Sequence, residues 1–156
     1  MSPPEIWGPP IWILFHTLVE NVNENHKNIF PQLFGYIKRI CVYLPCPECS
    51  KDATIFLGKI KSESLLTKND LINTMYIFHN YVNSKKKKKL FNYGNINIYK
   101  TKNLFDVLNN FAKVYNTTGN MKLLAESFQR KLILTDFKKW FNKNIKSFVN
   151  IPLGKV

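Results

Sequence analysis

The stretch Leu44-Pro45-Cys46-Pro47-Glu48-Cys49 limits what this chain can become more than any other. Pro45 has no backbone N–H and closes off a helix arriving from the N-terminal side, so a new helix is expected to start around 46–47 and run to 57. Cys46 then lies near the positive end of that helix, where a thiolate is stabilised, and Cys49 follows one turn later, within reach of a disulfide. Two thiols at this spacing make either a reactive disulfide or half of a metal site. The spacing alone does not choose between them.

The segments on either side read as helices. Residues 3–10 form a Pro/Gly-rich lead-in, with Pro9 and Pro10 as the entrance to a helix over 11–22 that carries Trp12, Phe15, His16 and Val19 on one stripe. Residues 21–28 are a polar connector. A second helix is expected over 29–44, with Phe30, Leu33, Phe34, Ile37, Ile40, Cys41 and Leu44 at core spacing, which makes Cys41 a small buried hydrophobe. Beyond the dithiol, a loop over 61–64 precedes a helix over 67–83, capped by Thr67 with Asp70 as its acidic partner. Leu71, Met75, Phe78 and Val82 form its apolar stripe. Tyr76, His79, Asn80 and Asn83 stand beside that stripe, which fits either a solvated terminus or a polar ligand. After Lys85–Lys89 come a helix over 102–115, a break over 116–120, and two further helices over 122–132 and 136–149. The expected class is therefore all-α.

Charge is divided unevenly. Residues 1–83 hold seven Lys/Arg and seven Asp/Glu, whereas residues 84–156 hold sixteen basic and three acidic residues, so the net charge of +13 belongs to the second half. Such a surface attracts nucleic acid or another anionic partner, but it need not describe the chemistry of the first half. The opening residues lack the basic region of a secretory signal, and no apolar run approaches a membrane span, so a cytosolic setting is expected. Three cysteines cannot build a disulfide framework.

Zinc would need two more ligands besides Cys46 and Cys49, and no finger-like spacing links His16, His26 and His79. A thioredoxin-like reductase would place a strand before its dithiol, but this chain is helical on both sides. Nor does any context present a lone nucleophilic cysteine.

Three motifs together carry a resemblance. Trp7-Gly8-Pro9-Pro10-Ile11-Trp12-Ile13-Leu14-Phe15-His16 is similar to a WGxxxWxxxH signature, Cys46-Pro47-Glu48-Cys49 followed by Ala53 to a redox centre, and His79-Asn80-Tyr81-Val82-Asn83 to an HNxVN element. In this order over 7–99 they resemble the Erv/ALR family of FAD-linked sulfhydryl oxidases, and among these the short enzymes of large cytoplasmic DNA viruses. The resemblance implies a four-helix bundle around FAD over 1–99 and a basic helical extension over 100–156 that packs on it, dimerises or docks a partner. It implies Cys46 as the thiol that meets the substrate and Cys49 as the one next to the flavin. It further implies a cofactor site of Trp7, Gly8, Trp12, His16, His79, Asn80, Val82, Asn83, Lys85, Lys88, Phe91 and Tyr99, with His79 near the adenine and the lysines near the phosphates. The implied reaction takes electrons from a protein dithiol to oxygen, giving hydrogen peroxide.

Two departures stand out. The family usually has Leu where Lys86 stands, and no second cysteine pair is present to act as a shuttle. The dithiol is then expected to meet its partner directly, for example a small viral thioredoxin-like or CxxxC protein, in a homodimer in the host cytoplasm or the virion. The competing expectation is a basic helical binding protein for nucleic acid or an acidic partner, acting through the C-terminal half, whose CxxC is incidental.

Overall fold

A computed structural model describes residues 4–116 and 124–149, with side chains described from residue 8 onward. Six α-helices, α1 (Pro4–Asn21), α2 (Phe30–Val42), α3 (Pro47–Gly58), α4 (Lys68–Lys85), α5 (Leu104–Tyr115) and α6 (Leu124–Lys143), are joined by turns and 3-10 segments. No strand occurs among the described residues, and Val22 and Phe148 make one isolated bridge. The all-α expectation holds.

Helix α1 is central. It packs against α4, α5 and the 3-10 segment Tyr93–Thr101, while α3 lies between α2 and α4, and α6 covers α2. The expected stripe on α2 is buried, from Phe30 to Cys41, and Leu44 is buried just beyond the helix end. Burial raises the Cys41 thiol pKa and so favours its protonated form. The capping box on α4 is complete: Thr67 Oγ1 accepts from Asp70 N–H, and Asp70 Oδ2 accepts from Thr67 N–H.

Two boundaries differ from expectation. Helix α1 begins at Pro4 and runs straight through Pro9 and Pro10. Each internal proline removes one i→i−4 bond, but its fixed φ suits helical geometry, and Pro4 occupies a first turn where a missing N–H goes unused. The two helices expected over 122–132 and 136–149 are one helix over 124–143, because Thr135-Asp136 is not used as a cap, and the chain beyond it forms a 3-10 turn, Ile145–Ser147, instead of continuing as helix to 149. Ile133, Leu134, Phe137, Trp140 and Phe141 continue a single buried face at helical spacing across Thr135-Asp136, with no Gly or Pro to stop it. Asn116 ends α5, while the rest of the expected break, 117–120, lies outside the described residues.

The last two helices are fastened to the rest by polar as well as apolar contacts. Tyr115 Oη donates to Ile40 O at 3.0 Å and Arg130 Nη1 to Tyr43 O at 3.4 Å. Trp140 Nε1 donates to Gln32 Oε1 at 2.6 Å, and Asp136 pairs with Arg39.

Candidate redox site

The dithiol is built by the local sequence. Cys46 is the N-cap of α3 in extended conformation, and its Sγ accepts a hydrogen bond from Cys49 N–H at 3.3 Å. The loop feeding it is clamped by Ser50 Oγ, which accepts from Leu44 N–H at 2.8 Å. Cys46 and Cys49 form a disulfide, with Cα atoms 5.2 Å apart. Of the alternatives at this spacing, the disulfide is the one adopted, and no His/Cys/Asp/Glu group suited to a metal ion occurs among the described residues.

Cys49 faces a cavity of about 520 Å³, a volume typical of small-molecule sites. Gly8, Trp12, His79, Val82, Asn83, Lys88 and Tyr99 line it too, as do Ala53 of the redox motif and Lys86 of the lysine run, together with residues not anticipated there: Pro9, Ile11, Ile13, Phe15, Cys41, Leu44 and Phe78. Phe15, Cys41, Leu44 and Phe78 lie on stripes read as core, and nothing in a stripe pattern says which core residues border a void. At Gly8, no atom lies within 4 Å of where a Cβ would stand, so the missing side chain leaves room rather than permitting close packing.

Trp12, His79 and Tyr99 of the cavity wall belong to an aromatic stack that continues to His16 and Phe91. His79 lies parallel to Trp12, with ring centroids 4.1 Å apart at 11°, and on Phe91 at 5.2 Å and 20°. His16 stacks on Tyr99 at 4.7 Å, and its Nε2 shares a hydrogen bond with His79 Nδ1 at 2.9 Å. Burial, reinforced by the neighbouring His79, lowers the His16 pKa to about 3, and burial lowers that of His79 to about 4. Both rings are therefore neutral at physiological pH. His16 Nδ1 is buried and has no hydrogen-bond partner.

The remaining predicted residues have other positions. Asn80 does not border the cavity; its side chain brackets the Phe91 backbone, Oδ1 accepting from Phe91 N–H at 2.7 Å and Nδ2 donating to Phe91 O at 3.0 Å. That pair fixes Phe91 against His79. Lys85 lies over the Tyr81 ring, 5.8 Å from its centroid. Trp7 belongs to α1, but its side chain is outside the described residues. Cys46 is also absent from the cavity lining.

The lysine run is folded. Helix α4 closes with Lys87 at φ 55, Lys87 N–H bonding Ser84 O at 3.1 Å and Lys88 N–H bonding Asn83 O at 2.8 Å. This is the Schellman closure, with lysine where glycine is usual. The turn brings Lys86 and Lys88 to the cavity, and Lys86 Nζ approaches Cys49 Sγ to 3.4 Å.

Residues 9–106 match the family model described as the Erv1 / Alr family. The chain belongs to that family. A relative from Invertebrate iridescent virus 3, named "Putative FAD-linked sulfhydryl oxidase 096R", is 28% identical over 87 residues, covering 54% of this chain and 59% of the relative. The chain thus spans less than two thirds of that relative's length. No solved structure matches it. For this Erv1 / Alr member, the matched segment contains the dithiol, both histidines and the lysine run, and it stops just inside α5.

Proposed function

We propose that this protein is an FAD-dependent sulfhydryl oxidase that forms disulfides in a protein dithiol. The observation that carries the reading is an asymmetry: Cys49 borders the cavity and Cys46 does not. One sulfur of the pair thus serves a bound planar group while the other is left for an incoming thiol.

The residues fit such a group. The cavity has aromatic walls for a flat ring system, and Lys88 offers charge for phosphates. In this reading Gly8, Trp12, His79, Val82, Asn83 and Tyr99 hold FAD directly, Phe91 and His16 support the stack, and Asn80 positions Phe91. Lys85 and Trp7 belong to the same set through the family motif. When bound, FAD would accept two electrons from the dithiol and deliver them to oxygen, giving hydrogen peroxide.

The thiol chemistry belongs to the chain itself. A substrate thiolate attacks Cys46 Sγ, the Cys46–Cys49 bond breaks, and Cys49 takes the electron pair. The second substrate thiol then displaces Cys46 and leaves oxidised. The α3 N-terminus stabilises the departing Cys46 thiolate, and Cys49 N–H is already directed at Cys46 Sγ. Among the described residues Cys41 is the one free cysteine, and it is buried, so the substrate meets the pair without a described shuttle.

The family resemblance and the viral relative extend the proposal to a homodimer acting on a small viral thioredoxin-like or CxxxC protein in host cytoplasm or virion. No described helix is long and apolar enough to cross a membrane. The division into an oxidase unit over 1–99 and a basic unit over 100–156, packed on the first and available for docking, belongs to the same proposal.

The absorbance spectrum tests the reading. Purified protein should be yellow, with a flavin band near ~450 nm, and should consume oxygen with dithiothreitol. Cys49→Ser should keep the band and lose turnover. A folded, colourless protein that cannot take up FAD, binding nucleic acid with a steep salt dependence, would overturn it in favour of a basic binding protein.

A further inference from the structure

We infer that Lys86 is a catalytic residue whose ammonium group holds the negative charge that appears on Cys49 when substrate opens the disulfide. The inference rests on the oxidase reading for its biological use, though not for its chemistry.

The geometry is local and specific. Lys86 Nζ is 3.4 Å from Cys49 Sγ, and both residues border the same cavity. Lys86 is the C-cap of α4, and its own N–H is bonded to Val82 O at 3.0 Å, so its backbone is fixed while its side chain crosses to α3. The left-handed Lys87 that follows turns the run back on the helix end. The approach is thus produced by the closure of α4.

The other titratable groups around that sulfur do not duplicate it. His79 borders the cavity but is held neutral by burial, with a pKa of about 4. Burial likewise keeps the Cys41 thiol and the Tyr99 phenol protonated. Lys88 is the second cation lining the cavity, and Glu48, Lys51 and Asp52 accompany Cys49 on α3. Lys86 is the cation placed within contact distance of Cys49 Sγ.

The step balances without another reagent. The incoming thiolate brings one negative charge, forms a bond to Cys46 Sγ, and the Cys46–Cys49 bond breaks with its electron pair passing to Cys49. The charge that entered at Cys46 therefore leaves at Cys49, beside Lys86. A better-stabilised leaving thiolate departs faster and makes the disulfide easier to reduce. A unit charge at about 4 Å in water-like surroundings is worth about fivefold in such an equilibrium. Salt screens it, because Lys86 is exposed.

The test equilibrates the full chain, as purified, under nitrogen with glutathione buffers at pH 9.5, where an ordinary thiol is ionised and a lysine keeps its charge, and counts reduced Cys46–Cys49 by maleimide trapping and mass spectrometry. Lys86→Met should need about fivefold more reducing conditions for half-reduction, Lys86→Arg should stay close to the parent, and 1 M salt should shrink the difference. Coincident midpoints for all three proteins overturn the inference, as does an equal shift in Lys86→Arg and Lys86→Met. The two readings fail separately. Intact oxidase turnover with coincident midpoints removes only the role of Lys86. A colourless protein without turnover, whose Lys86→Met midpoint nonetheless shifts, removes only the oxidase.

Discussion

The buried histidine pair gives the protein a measurable pH signature. His16 and His79 are neutral in the fold, with pKa values of about 3 and about 4, against 6.5 for an unrestrained histidine. Their folded values are depressed, so between those values and 6.5 the unfolded chain binds more protons than the native one. Stability from this source is complete above 6.5 and is lost as pH falls below it. From pH 7 to pH 5, linkage removes about 2 kcal/mol through His16. His79 is only partly buried, and its share is discounted to about 1 kcal/mol for solvent screening, which gives about 3 kcal/mol together.

Other groups titrate in the same range, and one acts in the opposite direction. Burial raises the Glu20 carboxyl pKa despite Lys100 and Lys68 nearby, so Glu20 binds its proton more tightly when folded and favours the native state as pH falls. Comparison with a His16→Gln, His79→Gln protein cancels that contribution, because Glu20 is present in both. Urea unfolding of the ligand-free proteins, followed by far-ultraviolet circular dichroism at pH 7, 6 and 5, should show the stability difference between parent and variant moving by about 3 kcal/mol in the variant's favour at low pH. A difference that stays constant across this range would mean that both rings titrate as exposed histidines. The buried, proton-free pair would then be refuted.

Three further outcomes are expected. Thr67→Ala removes one half of the α4 capping box and should lower stability by about 1 kcal/mol in the same urea assay. Lys87→Gly relieves a left-handed residue and should raise the melting temperature, with a gain of about 1 kcal/mol. Asn80→Ala leaves the Phe91 N–H and C=O without their bracket, which should cost about 1–2 kcal/mol and speed amide exchange at Phe91, while Asn80→Asp should retain the acceptor half.

Features set by a few adjacent residues could be read from the sequence. Pro45 and the extended Cys46 settle where α3 starts, Thr67 with Asp70 settles where α4 starts, and the Phe30-to-Cys41 stripe settles the buried face of α2. Features decided by competition between local and tertiary terms could not. Thr135-Asp136 has the chemistry of a cap, yet the apolar face running from Ile133 to Phe141 outweighs it. Pro9 and Pro10 resemble an entrance but are carried inside α1. The site divides in the same way. Trp12 and His16 stand four apart on one stripe, and His79 attracts notice because a core helix has little use for His79, Asn80 and Asn83 in its last turn. The approach of Lys86 to Cys49 crosses 37 positions and depends on a left-handed lysine that no composition rule favours.

The strongly basic second half is usually read through its surface, yet its clearest link to the redox site is internal. A helix leaves its last carbonyls without intrahelical donors, and α2 ends at Val42, four residues before Cys46. Two of the carbonyls there accept bonds from the C-terminal helices: Ile40 O from Tyr115 on α5, and Tyr43 O from Arg130 on α6. Both donors are buried, so water cannot easily replace them. The loop that presents Cys46 is therefore held from the α2 side by α5 and α6, and from the α3 side by Ser50 against Leu44. Across the disulfide, the lysine run contributes Lys86 at Cys49. Charge and packing from the second half thus converge on the two sides of the disulfide, the loop before Cys46 and the first turn of α3. The charge count alone, which points only to anions in solution, could not have indicated this.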